Sequence, residues 1–106
     1  MDGHMRKVLD ELKTGLAELY GDRLKGVYLF GSYARGEAGE ESDIDVLIVL
    51  DQVQNYSAEI ARTSELIARL SLACGRSISR VFVDEERWRG DQTMFFLNVR
   101  EEAVPA

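Results

Sequence analysis

Apolar positions in the first fifth of the chain recur at steps of three and four. Val8, Leu9, Leu12, Leu16 and Leu19 mark one side of an amphipathic helix over residues 6–20, with charged residues between them. Gly21 is placed to end it. The period then changes. "GVYLF" (26–30) reads as a short buried strand and "DIDVLIVL" (43–50) as a second one. Strand alternation puts Asp43, Asp45, Leu47 and Val49 on one face of that second strand, and Ile44, Val46, Ile48 and Leu50 on the other. Both faces are apolar beyond the aspartates, which predicts a central strand covered on both sides. Helical spacing returns over residues 57–73 through Ile60, Leu66, Ile67 and Leu70, and Gly75 stops it. "SISRVFV" (77–83) is a third strand, followed by a short helical turn over 84–89. Asp91 is placed to cap a last helix through Met94, Phe95, Leu97 and Val99, ending near Ala103 and Pro105. The order helix, strand, strand, helix, strand, helix predicts an α+β fold. Its sheet is small and mixed, of about three strands, with helices packed on one main face.

Composition narrows the class. A chain of 106 residues, 45% apolar, is the size of one domain with one ordinary core. The expected domain is residues 6–106; residues 1–5 read as a leader left from expression, so the only histidine, His4, is given no role. No run approaches the roughly 18 apolar residues of a membrane span. Cys74 has no cysteine to pair with, which fits a reducing cytoplasm. The formal charge of −6 argues against long nucleic acid as the main ligand, because phosphate contacts need a basic footprint. It leaves room for a single nucleotide that brings its own cation.

The chemistry gathers in "GSYARGEAGEESDIDVLIVL" (31–50). Asp43 and Asp45 stand two apart on a strand, so their side chains point the same way with about 6.5–7 Å between Cα atoms. Such a pair can converge on one divalent ion or bridge two. Magnesium, or manganese in its place, takes a few carboxylates and leaves positions for phosphate oxygens and water. Upstream, Gly31 lets backbone approach a ligand closely, Ser32 offers a hydroxyl at the start of a helical turn, and Arg35 is a fixed cation able to fork across phosphate oxygens. Together these parts describe a site for a metal-bound triphosphate. A hydrolytic triad is excluded: no usable histidine is present, and Cys74 lacks a base.

In this order, "FGSYARG", a six-residue spacer and "DIDVLIVL" resemble the signature of the polymerase-beta-like nucleotidyltransferases, and most closely that of the small minimal nucleotidyltransferases. The resemblance is strong over residues 26–50. It implies that Gly31 and Ser32 hold the triphosphate of an NTP, ATP above all, and that Asp43 and Asp45 are magnesium ligands. It implies transfer of a nucleoside monophosphate, commonly AMP, to a hydroxyl with loss of pyrophosphate. It also implies a partner, since many such proteins act as antitoxins beside a helical HEPN-domain protein. The family usually carries a third carboxylate on the next strand. Here that position falls at Ser79, and the nearest downstream acid, Asp84, belongs to the opposite face and reads as a capping residue. The alternative to an active enzyme is therefore a nucleotidyltransferase-fold antitoxin or adaptor with weak or no catalysis, or a site completed by Glu40, Glu41 or a partner. Among the other candidates, Tyr28 and Trp88 read as packing residues and Arg76, Arg80, Arg87 and Arg89 as a solvated face. Phe95 and Phe96 would mark a docking surface only if both were exposed.

Overall fold

A computed structural model describes residues 3–37, 39 and 42–106. Helix α1 (Gly3–Tyr20) buries Met5, Val8, Leu9, Leu12, Leu16 and Tyr20 along one side. It begins three residues earlier than the periodicity indicated, because Met5 is itself a core residue. Leu19, expected in the buried stripe, is 42% exposed in an open groove beside Arg62 and Leu66. Tyr20 takes the buried place in the last turn. One 3-10 turn (Gly21–Arg23) leads into β1 (Leu24–Phe30). Then come α2 (Ser32–Arg35), β2 (Ile44–Leu50), α3 (Tyr56–Cys74) and β3 (Ile78–Asp84). The chain continues through α4 (Glu85–Gly90), α5 (Met94–Glu102) and β4 (Val104–Pro105).

The sheet runs β3-β2-β1-β4. Strand β2 pairs antiparallel with β1 and parallel with β3, so α3 supplies the crossover that parallel neighbours need. The sheet has a fourth strand that the sequence pattern did not reveal: Leu29 pairs with Val104 and Tyr28 with Pro105. Two residues carry no readable alternation, and a proline is tolerated there because the strand lies on the sheet edge.

Both faces of β2 are covered, as its two-sided apolar pattern predicted, but by two separate cores. Ile44, Val46, Ile48 and Leu50 meet α1 and α3 through Leu9, Leu12, Leu16, Leu66 and Leu70. Leu47 and Val49 meet Val83 together with Phe96 and Val99 of α5, and Tyr28, Trp88 and Ala103 close this smaller core. Helices therefore occupy both faces, not one main face. Each fully buried aliphatic side chain contributes about 1.5–3 kcal/mol, which makes β2 the most heavily secured element.

The helix ends follow local chemistry. Asn55 caps α3, its side chain accepting the Ala58 N–H, and Gly75 ends it with left-handed backbone. Asp91 does not cap α5 directly; Thr93 holds that place, while the Asp91 carboxylate accepts the Thr93 N–H and pairs with Arg87. Among the described residues, the one buried charge is Glu59. Glu59 of α3 accepts the Tyr20 hydroxyl at 2.9 Å, Arg62 Nε at 3.0 Å and Arg23 Nη2 at 3.1 Å. No described helix is long and apolar enough to cross a membrane.

Candidate active site

Strand β1 ends at Phe30, and Gly31 turns the chain with φ 72° and ψ −151°, backbone open to glycine. Ser32 to Arg35 then form one helical turn, closed by Gly36 in the left-handed region. The turn opens at Ser32, as its position in the motif indicated. Across the sheet, Asp43 lies just before β2, exposed, and Asp45 is the strand's second residue, half-buried. Asp45 pairs with Phe30 on one side and with Ser79 on the other. Its carboxylate therefore lies against the glycine that follows Phe30. A β-carbon on Gly31 would stand 2.4 Å from Asp45 Oδ2.

Electrostatics link the predicted residues further. Burial raises the Asp45 carboxyl above the ordinary carboxylate range, and the Asp43 charge pushes it the same way, opposed by Arg35. Two like charges held together, one of them desolvated, form an arrangement that a cation relieves. Among the described residues no third His, Cys, Asp or Glu joins them to make a fuller metal cluster. Two carboxylates on one face nonetheless fit magnesium, which leaves most of its positions to phosphate and water.

The structure thus brings Gly31, Arg35, Asp43 and Asp45 together, with Ser32 opening the turn beside them. The expected gap is present too. Ser79 is exposed and occupies the register position beside Asp45, on the face shared by Leu47 and Val83, with no acid there. Asp84 lies at the far end of β3, paired with Leu50, and caps α4 by accepting the Arg87 N–H at 2.8 Å. Glu40 and Glu41 lie outside the described residues.

Two residues that sequence reasoning did not assign to the site support it. Arg76 donates from Nη1 to the carbonyls of Gly39 at 2.9 Å and Ser42 at 3.2 Å, with its guanidinium 5.7 Å from the Tyr33 ring centroid. It ties the spacer to the start of β3 and so fixes the approach to Asp43. Glu102, at the end of α5, accepts the Gly31 N–H at 3.2 Å and pairs with Arg35 at 3.4 Å. Neither had a local signal, since each partner lies more than thirty positions away in sequence. Of the other arginines expected on a solvated face, Arg87 and Arg89 are exposed and pair with Asp91 and Glu85, whereas Arg80 is half-buried and holds the Ile60 carbonyl and Thr63 Oγ1. Tyr28 and Trp88 pack on each other at 5.0 Å, and Phe96 is buried, so the condition for a paired-phenylalanine docking surface is not met. A groove of about 580 Å³ along α1 and Arg69 holds none of the site residues and lies across the sheet from Asp45.

Comparison with known proteins identifies the family of the fold. The family model for the nucleotidyltransferase domain matches residues 9–93. A candidate protein adenylyltransferase of Methanocaldococcus jannaschii is 38% identical over 97 residues, covering 91% of each chain. A solved structure described as a minimal nucleotidyltransferase superposes with a TM-score of 0.64 at 27% identity, covering 100% of this chain and 97% of that one. The fold also matches a toxin–antitoxin crystal structure containing AMP-PNP, with a TM-score of 0.63 at 23% identity over 91% of this chain and 69% of that one. With the glycine turn and the paired aspartates in register, the chain belongs to the nucleotidyltransferase domain family.

Proposed function

We propose that the protein transfers AMP from ATP to a hydroxyl group of a partner protein, with magnesium held by Asp43 and Asp45. The observation that carries this reading is the closeness of the Asp45 carboxylate to Gly31, since it supports a metal ligand and a phosphate-binding turn side by side. In this reading the Gly31 N–H, the Ser32 hydroxyl and the Arg35 guanidinium take the phosphate oxygens. Magnesium bound there would supply neutralisation of the charge on the triphosphate. The acceptor oxygen forms a bond to the α-phosphorus, the bond from that phosphorus to the β-phosphate oxygen breaks, pyrophosphate leaves, and the hydroxyl proton passes to solvent water. The residues of this chain contribute mainly position and charge, as in phosphoryl transfer generally. The adenine nucleotide and the protein acceptor are supported by the adenylyltransferase name of the M. jannaschii relative and by the AMP-PNP of the toxin–antitoxin structure. The partner we propose is the HEPN-type protein that the motif resemblance implies, with this chain as antitoxin, and the setting is the cytoplasm.

A second reading is favoured by Ser79, which leaves the register position beside Asp45 without a carboxylate. In it the protein keeps nucleotide and metal but neutralises its partner by binding, with slow or no transfer. The discriminating experiment is incorporation of labelled AMP into the co-purified partner in the presence of magnesium. Under the first reading the label appears and Asp43→Ala/Asp45→Ala abolishes it. Partner inhibition that survives in the double variant, with no label in the wild type, would replace the first reading by the second.

A further inference from the structure

Glu102 holds two of the three groups that the proposed site offers to a phosphate, the Gly31 N–H and the Arg35 guanidinium. Its Oε1 accepts the Gly31 N–H at 3.2 Å, and its two oxygens lie 3.5 and 3.4 Å from Arg35 Nη1. Glu37 accepts from Arg35 Nε at 3.1 Å, so two carboxylates share this guanidinium. We infer that Glu102 is an internal substitute for a phosphate group, and that an incoming nucleotide must displace its carboxylate to reach Gly31 and Arg35. The inference rests on the nucleotidyl-transfer reading above and concerns the regulation of that same site.

The chemistry of the exchange is balanced. A carboxylate and a phosphate present the same kind of anionic oxygens to an N–H and a guanidinium. One backbone N–H does not serve both, and a carboxylate left in place would oppose the phosphate charge. Several features make the exchange easy. The contacts are longer than the roughly 2.7–2.9 Å of a tight charge-assisted hydrogen bond. The Glu102 side chain is 29% exposed, so water receives it when it rotates away. Its backbone is held independently, by Phe96 and Val99 in the smaller core and by the pairing of Val104 with Leu29. Displacement therefore needs a side-chain rotation and leaves α5 docked. Until it occurs, only the fraction of molecules with Glu102 turned away is competent, and apparent nucleotide affinity is lowered by that fraction.

The test is calorimetric titration of magnesium–ATP into the wild type, Glu102→Gln and Glu101→Gln, with the Gly31 amide followed by nitrogen–proton NMR. Glu101 is an exposed neighbour that carries the same charge away from the turn. Glu102→Gln should bind about tenfold more tightly, the scale of one charged hydrogen bond, and Glu101→Gln should stay within about twofold of the wild type. The Gly31 amide should shift in Glu102→Gln before any nucleotide is added. If the wild type binds and Glu102→Gln binds equally or less tightly, the substitution idea is overturned while the nucleotide site stands. Equal tightening in both variants would reduce the effect to net charge and likewise overturn it. Absence of binding in all three proteins would remove the nucleotide site itself, and this inference with it.

Discussion

The Asp45 carboxylate fills the space that a side chain on Gly31 would occupy, 2.4 Å from the position of its missing β-carbon. The two halves of the motif, separated by turn and spacer in sequence, are one packed unit in space. A first prediction follows for Gly31→Ala. Its backbone sits at φ 72°, so alanine costs about 1–3 kcal/mol in strain alone, and the new methyl must also push Asp45 aside. Gly36→Ala, at φ 71° with open space around it, carries the strain without the clash. Urea unfolding should find both variants destabilised. Magnesium–ATP titration should find binding lost only in Gly31→Ala.

Asp45 is held half-buried beside another acid, an arrangement that serves a cation better than it serves the fold. Asp45→Asn removes the repulsion and keeps the shape. It should be at least as stable as the wild type in urea at neutral pH, while losing magnesium-dependent nucleotide binding. A variant both less stable and fully able to bind would contradict the assignment of Asp45 as a metal ligand.

Glu59 should govern acid stability. Burial works to raise its carboxyl, but the hydrogen bonds from Tyr20, Arg62 and Arg23 outweigh it, and the carboxyl lies below its ordinary value of 4.5. A depressed carboxyl stabilises the folded state above the unfolded-state value, and the contribution is lost as pH falls through the folded one. Wild-type stability should therefore fall with acidification below about pH 4.5, the ordinary value. Glu59→Gln should start about 1–3 kcal/mol less stable at pH 7 and decline less across that window. Urea midpoints at several pH values check both. The Tyr20 phenol, pushed up to about 12 by burial and then by Glu59, works at the other extreme. It should cost stability as pH rises from 10 towards 12, and Tyr20→Phe should not show that loss.

Ser79→Asp offers a gain of function. It puts a third acid at the register position beside Asp45, on an exposed part of β3 where the stability cost is small. Metal affinity should rise by about a decade, the scale on which ligand charge tunes carboxylate sites. Any transfer of label to the partner should speed up. Manganese titration and the labelling assay read these two effects separately.

Legibility in the sequence followed the range of each interaction. The alternation of β2 gave its two-sided burial, because Leu47 and Ile48 face opposite cores whatever covers them. The position of Ser79 was legible only through the family resemblance, since strand direction cannot be read from the sequence; the parallel pairing of β2 and β3 puts it beside Asp45. Strand β4 was not legible: Val104 and Pro105 are extended only because they meet Leu29 and Tyr28. Leu19 fits the helical stripe but lies where α1 and α3 leave an open groove. In the site, the residues within one motif could be read, since turn and strand impose their spacing. Arg76 and Glu102 act on it from distant elements, and their own neighbours in sequence carry no trace of the Gly39, Ser42 or Gly31 groups they hold.

The double cover over β2 gives the site an uneven stiffness. From Val46 to Leu50 the strand has almost no contact with solvent, so its amide protons should exchange only when the whole domain opens. Asp45 is fastened to that strand, whereas Ser32 to Arg35 and the Glu102 side chain belong to short or exposed pieces at its edge. In the proposed function a ligand would come and go through rearrangement of the edge, on a far faster clock, while the Asp45 carboxylate keeps its place on the slowest part of the molecule.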